Sequence, residues 1–83
     1  MSYYIKINER VDVLVDFVGQ AVKPLVFKWG GRDYSVKKIN LIHIAREGRD
    51  KIYYFSVTDD ANYFKLKFNT SSLEWGLEEM QSN

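Results

Sequence analysis

The stretch Leu25-Val26-Phe27-Lys28-Trp29-Gly30-Gly31-Arg32-Asp33-Tyr34-Ser35-Val36 constrains the fold more than any other part of the chain. Two alternating runs flank a Gly-Gly pair. A two-residue hairpin loop of type I′ or II′ needs the positive φ that glycine reaches without steric cost. With Gly30 and Gly31 as the loop, Trp29 falls opposite Arg32, Phe27 opposite Tyr34 and Leu25 opposite Val36 on one face. Val26 opposite Ser35 and Lys28 opposite Asp33 share the other face. One side is therefore aromatic with an arginine at its tip, and the other is mostly polar with a cross-strand pair of opposite charge. A chain committed to this hairpin is committed to antiparallel β structure around it.

The remaining segments carry the same period of two. Tyr3-Tyr4-Ile5-Lys6-Ile7 predicts a short strand within an N-terminal arm over residues 1–10, ended by the polar break Asn8-Glu9-Arg10. Val11, Val13, Val15 and Phe17 are expected inside the next strand, and Pro24 at an edge or a bulge, where no ladder donor is needed. Past Val36 the period fails: Ile39, Leu41, Ile42 and Ile44 straddle both parities, which predicts a bulge or bend near Lys37 and Lys38. Arg46 to Asp50 reads as a hairpin loop, Lys51 to Val57 as a strand and Thr58 to Asn62 as a turn. Phe64, Leu66 and Phe68 are then inward, with Tyr63, Lys65 and Lys67 outward. After a loop Asn69-Thr70-Ser71-Ser72, the inward set Leu73, Trp75 and Leu77 returns, with Leu66 opposite Trp75, Phe64 opposite Leu77 and Lys67 opposite Glu74. Residues 80–83 are expected to fray. The fold expected is all-β: a five- to six-stranded antiparallel meander curled into a small, partly open barrel, or dimerised through the apolar face that a flat sheet would leave bare.

At 83 residues this is a single domain over 1–83, with its β core at 11–79, since two domains would each lack a sufficient core. A hydrophobic content of 46% against 28% charged residues separates the chain from disordered sequences. Without cysteine there is neither a disulfide framework nor a thiolate metal site, which points to a cytoplasmic setting. No apolar run approaches the roughly 18 residues of a membrane span, and no signal peptide is expected at the N-terminus.

The ordered set Pro24, Phe27, Trp29, Gly31, Arg32, Tyr34 and Val36, followed by Tyr63, Leu66 and Phe68 and by Leu73-Glu74-Trp75, resembles a small all-β bacterial domain of unknown function. Its hairpin reads Phe-x-Trp-x-Gly-Arg-x-Tyr-x-Val, and the resemblance covers about residues 11 to 79. It brings no assigned activity. Similar domains are associated with lesion-bypass DNA polymerase genes, which lends some weight to nucleic-acid binding.

Catalysis finds little to work with. His43, the one histidine, sits between Ile42 and Ile44, and Asp59-Asp60 are adjacent rather than spaced as in a Ca²⁺ loop. Gly30-Gly31 lacks both the spacing and the following helix of a phosphate-cradling loop. No catalytic residue, metal, cofactor or small-molecule substrate is therefore expected. Candidate binding residues are Trp29 and Arg32 at the hairpin tip, where a guanidinium could stack on an indole, and Tyr54, Tyr63, Lys65 and Lys67 on a sheet face. These fit two readings. One is a non-catalytic module that binds itself or another protein; the other is a small barrel that stacks single-stranded DNA or RNA on tyrosines beside lysines. A net charge of +1 and the opposed acids Asp33 and Glu74 weigh against a continuous phosphate track, so the protein-interaction reading leads.

Overall fold

The computed structural model describes residues 3–82, and every regular element in it is a β-strand. These are β1 (Tyr3–Val18), β2 (Ala21–Trp29), β3 (Arg32–Ser35), β4 (Lys38–Glu47), β5 (Asp50–Thr58), β6 (Asn62–Asn69) and β7 (Glu74–Ser82). They form one antiparallel sheet in the order β3-β2-β1-β7-β6-β5-β4. The all-β antiparallel expectation holds. The strands number seven rather than five or six, the sheet does not close into a barrel, and its order is not one meander. Two meanders, β1-β2-β3 and β4-β5-β6-β7, are joined by the pairing of β1 with β7. Among the described residues no helix is long and apolar enough to cross a membrane.

β1 is the hinge of the molecule. The break expected at Asn8 is a kink inside one 16-residue strand: the register against β7 shifts between Lys6 and Glu9, and Asn8 takes a φ of 52°. Asparagine tolerates this left-handed geometry better than most residues. From Tyr3 to Val11 the strand pairs with β7, and from Asp12 to Val18 with β2. A strand that changes partner at a bulge turns a corner, and the sheet folds over on itself there. Phe27 of β2 consequently meets Phe64 of β6 edge-on at 4.9 Å, although β1 and β7 lie between their strands. Tyr34 of β3 reaches the same ring at 5.4 Å.

The core is the concave side of this fold. Val11, Phe27, Phe55, Val57, Phe64, Leu66, Phe68, Trp75 and Leu77 form one buried cluster, with Trp75 stacked on Phe68 at 4.5 Å and on Phe55 at 5.5 Å. Val11 is buried as expected and Val13 and Val15 half-buried, but Phe17 is largely exposed at the core's margin, its ring 6.5 Å from that of Phe68. The central hairpin has the expected register: Trp29 opposite Arg32, Lys28 opposite Asp33, Phe27 opposite Tyr34, Val26 opposite Ser35. Positive φ at both Gly30 (61°) and Gly31 (76°) is the type I′ geometry. Lys28 and Asp33 face each other without closing a salt bridge. Leu25 keeps its expected partner, its carbonyl accepting from Val36 N–H at 2.8 Å, but not its expected face. A bulge skips it between Val26, opposite Leu14, and Pro24, opposite Val15, so proline is buried and Leu25 faces solvent.

Three further corrections concern register. The break expected near Lys37 and Lys38 is there, between the end of β3 and the start of β4, but the bulge that settles the parities lies at Asn40, which places Ile39, Ile42 and Ile44 with the concave partners Val57, Phe55 and Tyr53, and Leu41 with Ser56 on the other face. The β6–β7 pairing sets Phe68 opposite Trp75 and Leu66 opposite Leu77, two residues from the expected alignment. Asn69 belongs to the ladder opposite Glu74, so the loop is Thr70 to Leu73; Leu73 takes a φ of 62° and points outward rather than in. A slip of two keeps every other side chain on its expected face. The tail does not fray at 80–82, where Met80, Gln81 and Ser82 pair with β1 and β6; residues 1, 2 and 83 lie outside the described ones.

A candidate protein-binding edge and a neutralised polar face

The convex face gathers four of the six expected binding residues. Tyr54 of β5 lies opposite Lys67 of β6, with Ser56 opposite Lys65 and Thr58 opposite Tyr63 in the same ladder. Both lysines reach over the Tyr54 ring, with ammonium-to-centroid distances of 5.2 Å for Lys65 and 5.9 Å for Lys67. The Tyr54 hydroxyl donates to the Glu47 carboxylate, and the Lys67 ammonium reaches the other Glu47 oxygen at 3.2 Å. The Tyr54 hydrogen bond, followed by that from Lys67, holds the Glu47 carboxyl below the usual carboxylate range. The same carboxylate pushes the Tyr54 hydroxyl and the Lys67 ammonium upward. Glu47, at the end of β4, was not singled out in the sequence because it reaches this cluster only through the hairpin that folds β4 back along β5.

The stacking platform expected here is thus already occupied. A base needs an open π-face, and two cations lie over the Tyr54 ring, of which Lys67 is paired with Glu47. Farther along the face Lys6 lies opposite Glu79, Lys65 opposite Glu79 from the other side, and Tyr4 donates to Glu79 at 2.7 Å. Lys67, expected to face Glu74, faces Gly76 instead, while Glu74 pairs with Arg10 at 2.8 Å. Tyr4 and Tyr63 keep exposed rings, and Tyr63 stands beside a depression of about 210 Å³ bounded by Ser56, Lys65, Glu79 and Gln81. That is below the roughly 300 Å³ at which small-molecule sites begin.

Trp29 and Arg32 are not brought to this face. They sit at the β2–β3 tip, where Trp29 is half-buried against Tyr34 at 5.9 Å. The Arg32 guanidinium lies 5.4 Å over Tyr34, so the expected stack on the indole is made on its neighbour. The geometry is that of a covered core end rather than an open recognition tip. His43 on β4 lies opposite Tyr54 at 6.2 Å between ring centroids, and no group of three or more metal-ligating side chains occurs among the described residues.

The feature sequence reasoning missed is the outer edge of β4. Among the described residues this ten-residue strand pairs only with β5, and no other strand comes near it. Where β3 passes into β4 the gap is bridged, because Val36 N–H donates to the Leu25 carbonyl at 2.8 Å and Lys37 N–H to the Thr58 carbonyl at 2.9 Å. Beyond that lacing the edge is bare. Leu41 (62% exposed), Ile42 (46%) and Ile44 (49%) stand along it. The opposite edge, β3, has only four residues and carries Arg32 and Asp33, the short and charged form that resists pairing. The signal was present in the sequence as an apolar set on both parities of one strand, more than a single buried face can absorb.

No family model, curated protein or solved structure matches the chain.

Proposed function

We propose that the protein is a non-catalytic interaction module that binds an extended polypeptide segment by strand addition along β4. The observation that carries this is the unpaired outer edge of Lys38–Glu47, with Leu41, Ile42 and Ile44 exposed along it. Main-chain groups of an edge strand supply affinity to any extended partner, and alternate side chains supply selectivity. Exposed aliphatics on both faces of the edge suit a partner strand that is itself apolar. The lack of cysteine suits a reducing, cytoplasmic setting.

A second reading, single-stranded nucleic acid on the convex face, rests on the open Tyr63 ring beside Lys65. It is the weaker one, since Glu47 and Glu79 interrupt the lysines along any phosphate path. Amide NMR on labelled protein separates the two. A ten-residue peptide of alternating valine and threonine should move the amides of Leu41 to Ala45, and Ile44→Lys should weaken that response at least tenfold. A mixed-sequence oligonucleotide should leave Tyr63, Lys65 and Lys67 unmoved at physiological salt. Salt-sensitive shifts at those three residues, with β4 silent to the peptide, would overturn the strand-addition reading.

A further inference from the structure

We infer that the strand accepted by the β4 edge is β4 of a second copy of this chain, paired antiparallel about a two-fold axis at His43; this rests on the strand-addition reading above. Residues opposite one another in an antiparallel ladder share a face. A two-fold axis normal to the sheet must therefore pass through a residue and not between two. That leaves few alignments of Leu41 to Ala45, and charge separates them. An axis at Ile42 sets Lys38 against the partner's Arg46, and symmetry repeats that repulsion. An axis at Ile44 sets Ile42 against the partner's Arg46 and Leu41 against the partner's Glu47, so the exposed aliphatics meet charges. An axis at His43 sets Ile42 against the partner's Ile44 and Leu41 against the partner's Ala45, with Asn40 against the partner's Arg46. In this alignment no lysine, arginine, aspartate or glutamate faces one of its own sign, and His43 faces the partner's His43.

The same alignment extends the core. Ile42 and Ile44 stand on the concave face opposite Phe55 and Tyr53. Two copies would place four isoleucines in a row between one aromatic core and the other. Leu41 and Ala45 would cover the edge on the convex side, beside Tyr54. Each seven-stranded sheet would continue into its partner across an edge that the molecule leaves unguarded at its centre. Only its ends are marked, by Lys38 and the Asn40 bulge on one side and by Arg46 and Glu47 on the other. The area is modest, on the order of 1,000 Å² in all, at the low end for a specific interface. Association in the micromolar range is therefore expected rather than an obligate dimer.

Because the chain has no cysteine, single cysteines report the alignment directly. Leu41→Cys, Ile42→Cys, His43→Cys and Ile44→Cys would be oxidised under mild conditions, after circular dichroism shows that each is folded. A disulfide needs Cα atoms about 4.4 to 6.8 Å apart, which an axis at His43 provides only for the His43→Cys pair. Cross-linking should be at least tenfold faster there than at the other three positions. Sedimentation should show a monomer–dimer equilibrium for the unmodified protein, weakened at least tenfold in Ile44→Lys and, as a second variant, Leu41→Lys. A dimer whose cross-linking peaks at Ile42→Cys or Ile44→Cys would overturn the alignment and leave strand addition standing. A chain that stays monomeric at several hundred micromolar would overturn the second copy as partner. The valine–threonine peptide then shows whether the edge itself also fails.

Discussion

Glu47 is the residue on which the convex face turns. It takes a hydrogen bond from Tyr54 and an ion-pair contact from Lys67, and so sets a carboxylate into what would be a basic, aromatic patch. Its carboxyl is held low chiefly by the Tyr54 hydroxyl and then by Lys67. With the folded value below the unfolded one, the ionised carboxylate favours the folded state at neutral pH. That contribution fades as pH falls through the depressed folded value. Tyr54→Phe removes the larger cause, so the Glu47 titration midpoint, followed by carboxyl ¹³C NMR, should rise toward the ordinary carboxylate value. An unmoved midpoint would mean that the hydroxyl bond is not formed in solution. None of this was legible beforehand. The sequence suggests Tyr54 and Lys67 on a sheet face, but it does not reveal that the β4–β5 turn at Gly48 and Arg49 delivers Glu47 to them.

At the level of the element, turns decided how much could be read. A two-residue loop at Gly30-Gly31 sets one register, and the ladder beside it followed residue by residue from Val26 to Ser35. The β6–β7 loop admits several. Asn69 was expected to begin the loop, yet its side-chain oxygen accepts from the N–H groups of Ser71 and Ser72 at 2.8 and 3.2 Å while its backbone stays in the strand. The four loop residues therefore run from Thr70 to Leu73. Leucine at a φ of 62° and 69% exposed bears a conformational cost without compensating burial. Leu73→Gly should relieve that cost and stabilise the protein by about 1 kcal/mol, raising Tm by roughly 4–8 °C in a domain of this size. A lowered Tm in thermal unfolding would show that Leu73 makes contacts in solution that its exposure does not suggest. β4 was the least legible strand. Its bulge at Asn40 has no glycine or proline to announce it, and alternation alone cannot say which of its two apolar parities finds a core.

For the molecule as a whole, the expectation of a curled antiparallel sheet was sound because 83 residues with this many aromatics must cover one sheet face. The strand order was not legible, since nothing local announces that β1 will leave β2 midway and take β7. Trp75 sits where the two halves meet: its strand pairs with β1 at Val11 and with β6 at Phe68, and its ring stacks between Phe68 and Phe55. Trp75→Ala should cost about 3–5 kcal/mol, a large share of the roughly 5–15 kcal/mol that holds a domain together. Denaturant unfolding would test this, and a loss below 1 kcal/mol would place the indole outside the core.

The exchange of partners along β1 also bears on how the sheet can be assembled in time. Its second half closes on β2 through the turn at Gly19 and Gln20, and β4 to β7 can zip together through three consecutive turns. The first half of β1 has no nearby strand to meet, because Tyr3 pairs with Ser82 at the far end of the described chain. That closure spans nearly the whole sequence and brings its return only after the loop entropy has been spent. Two quick local hairpin stacks should therefore form ahead of a slower docking step, and β7 is the strand whose arrival turns two ribbons into one molecule.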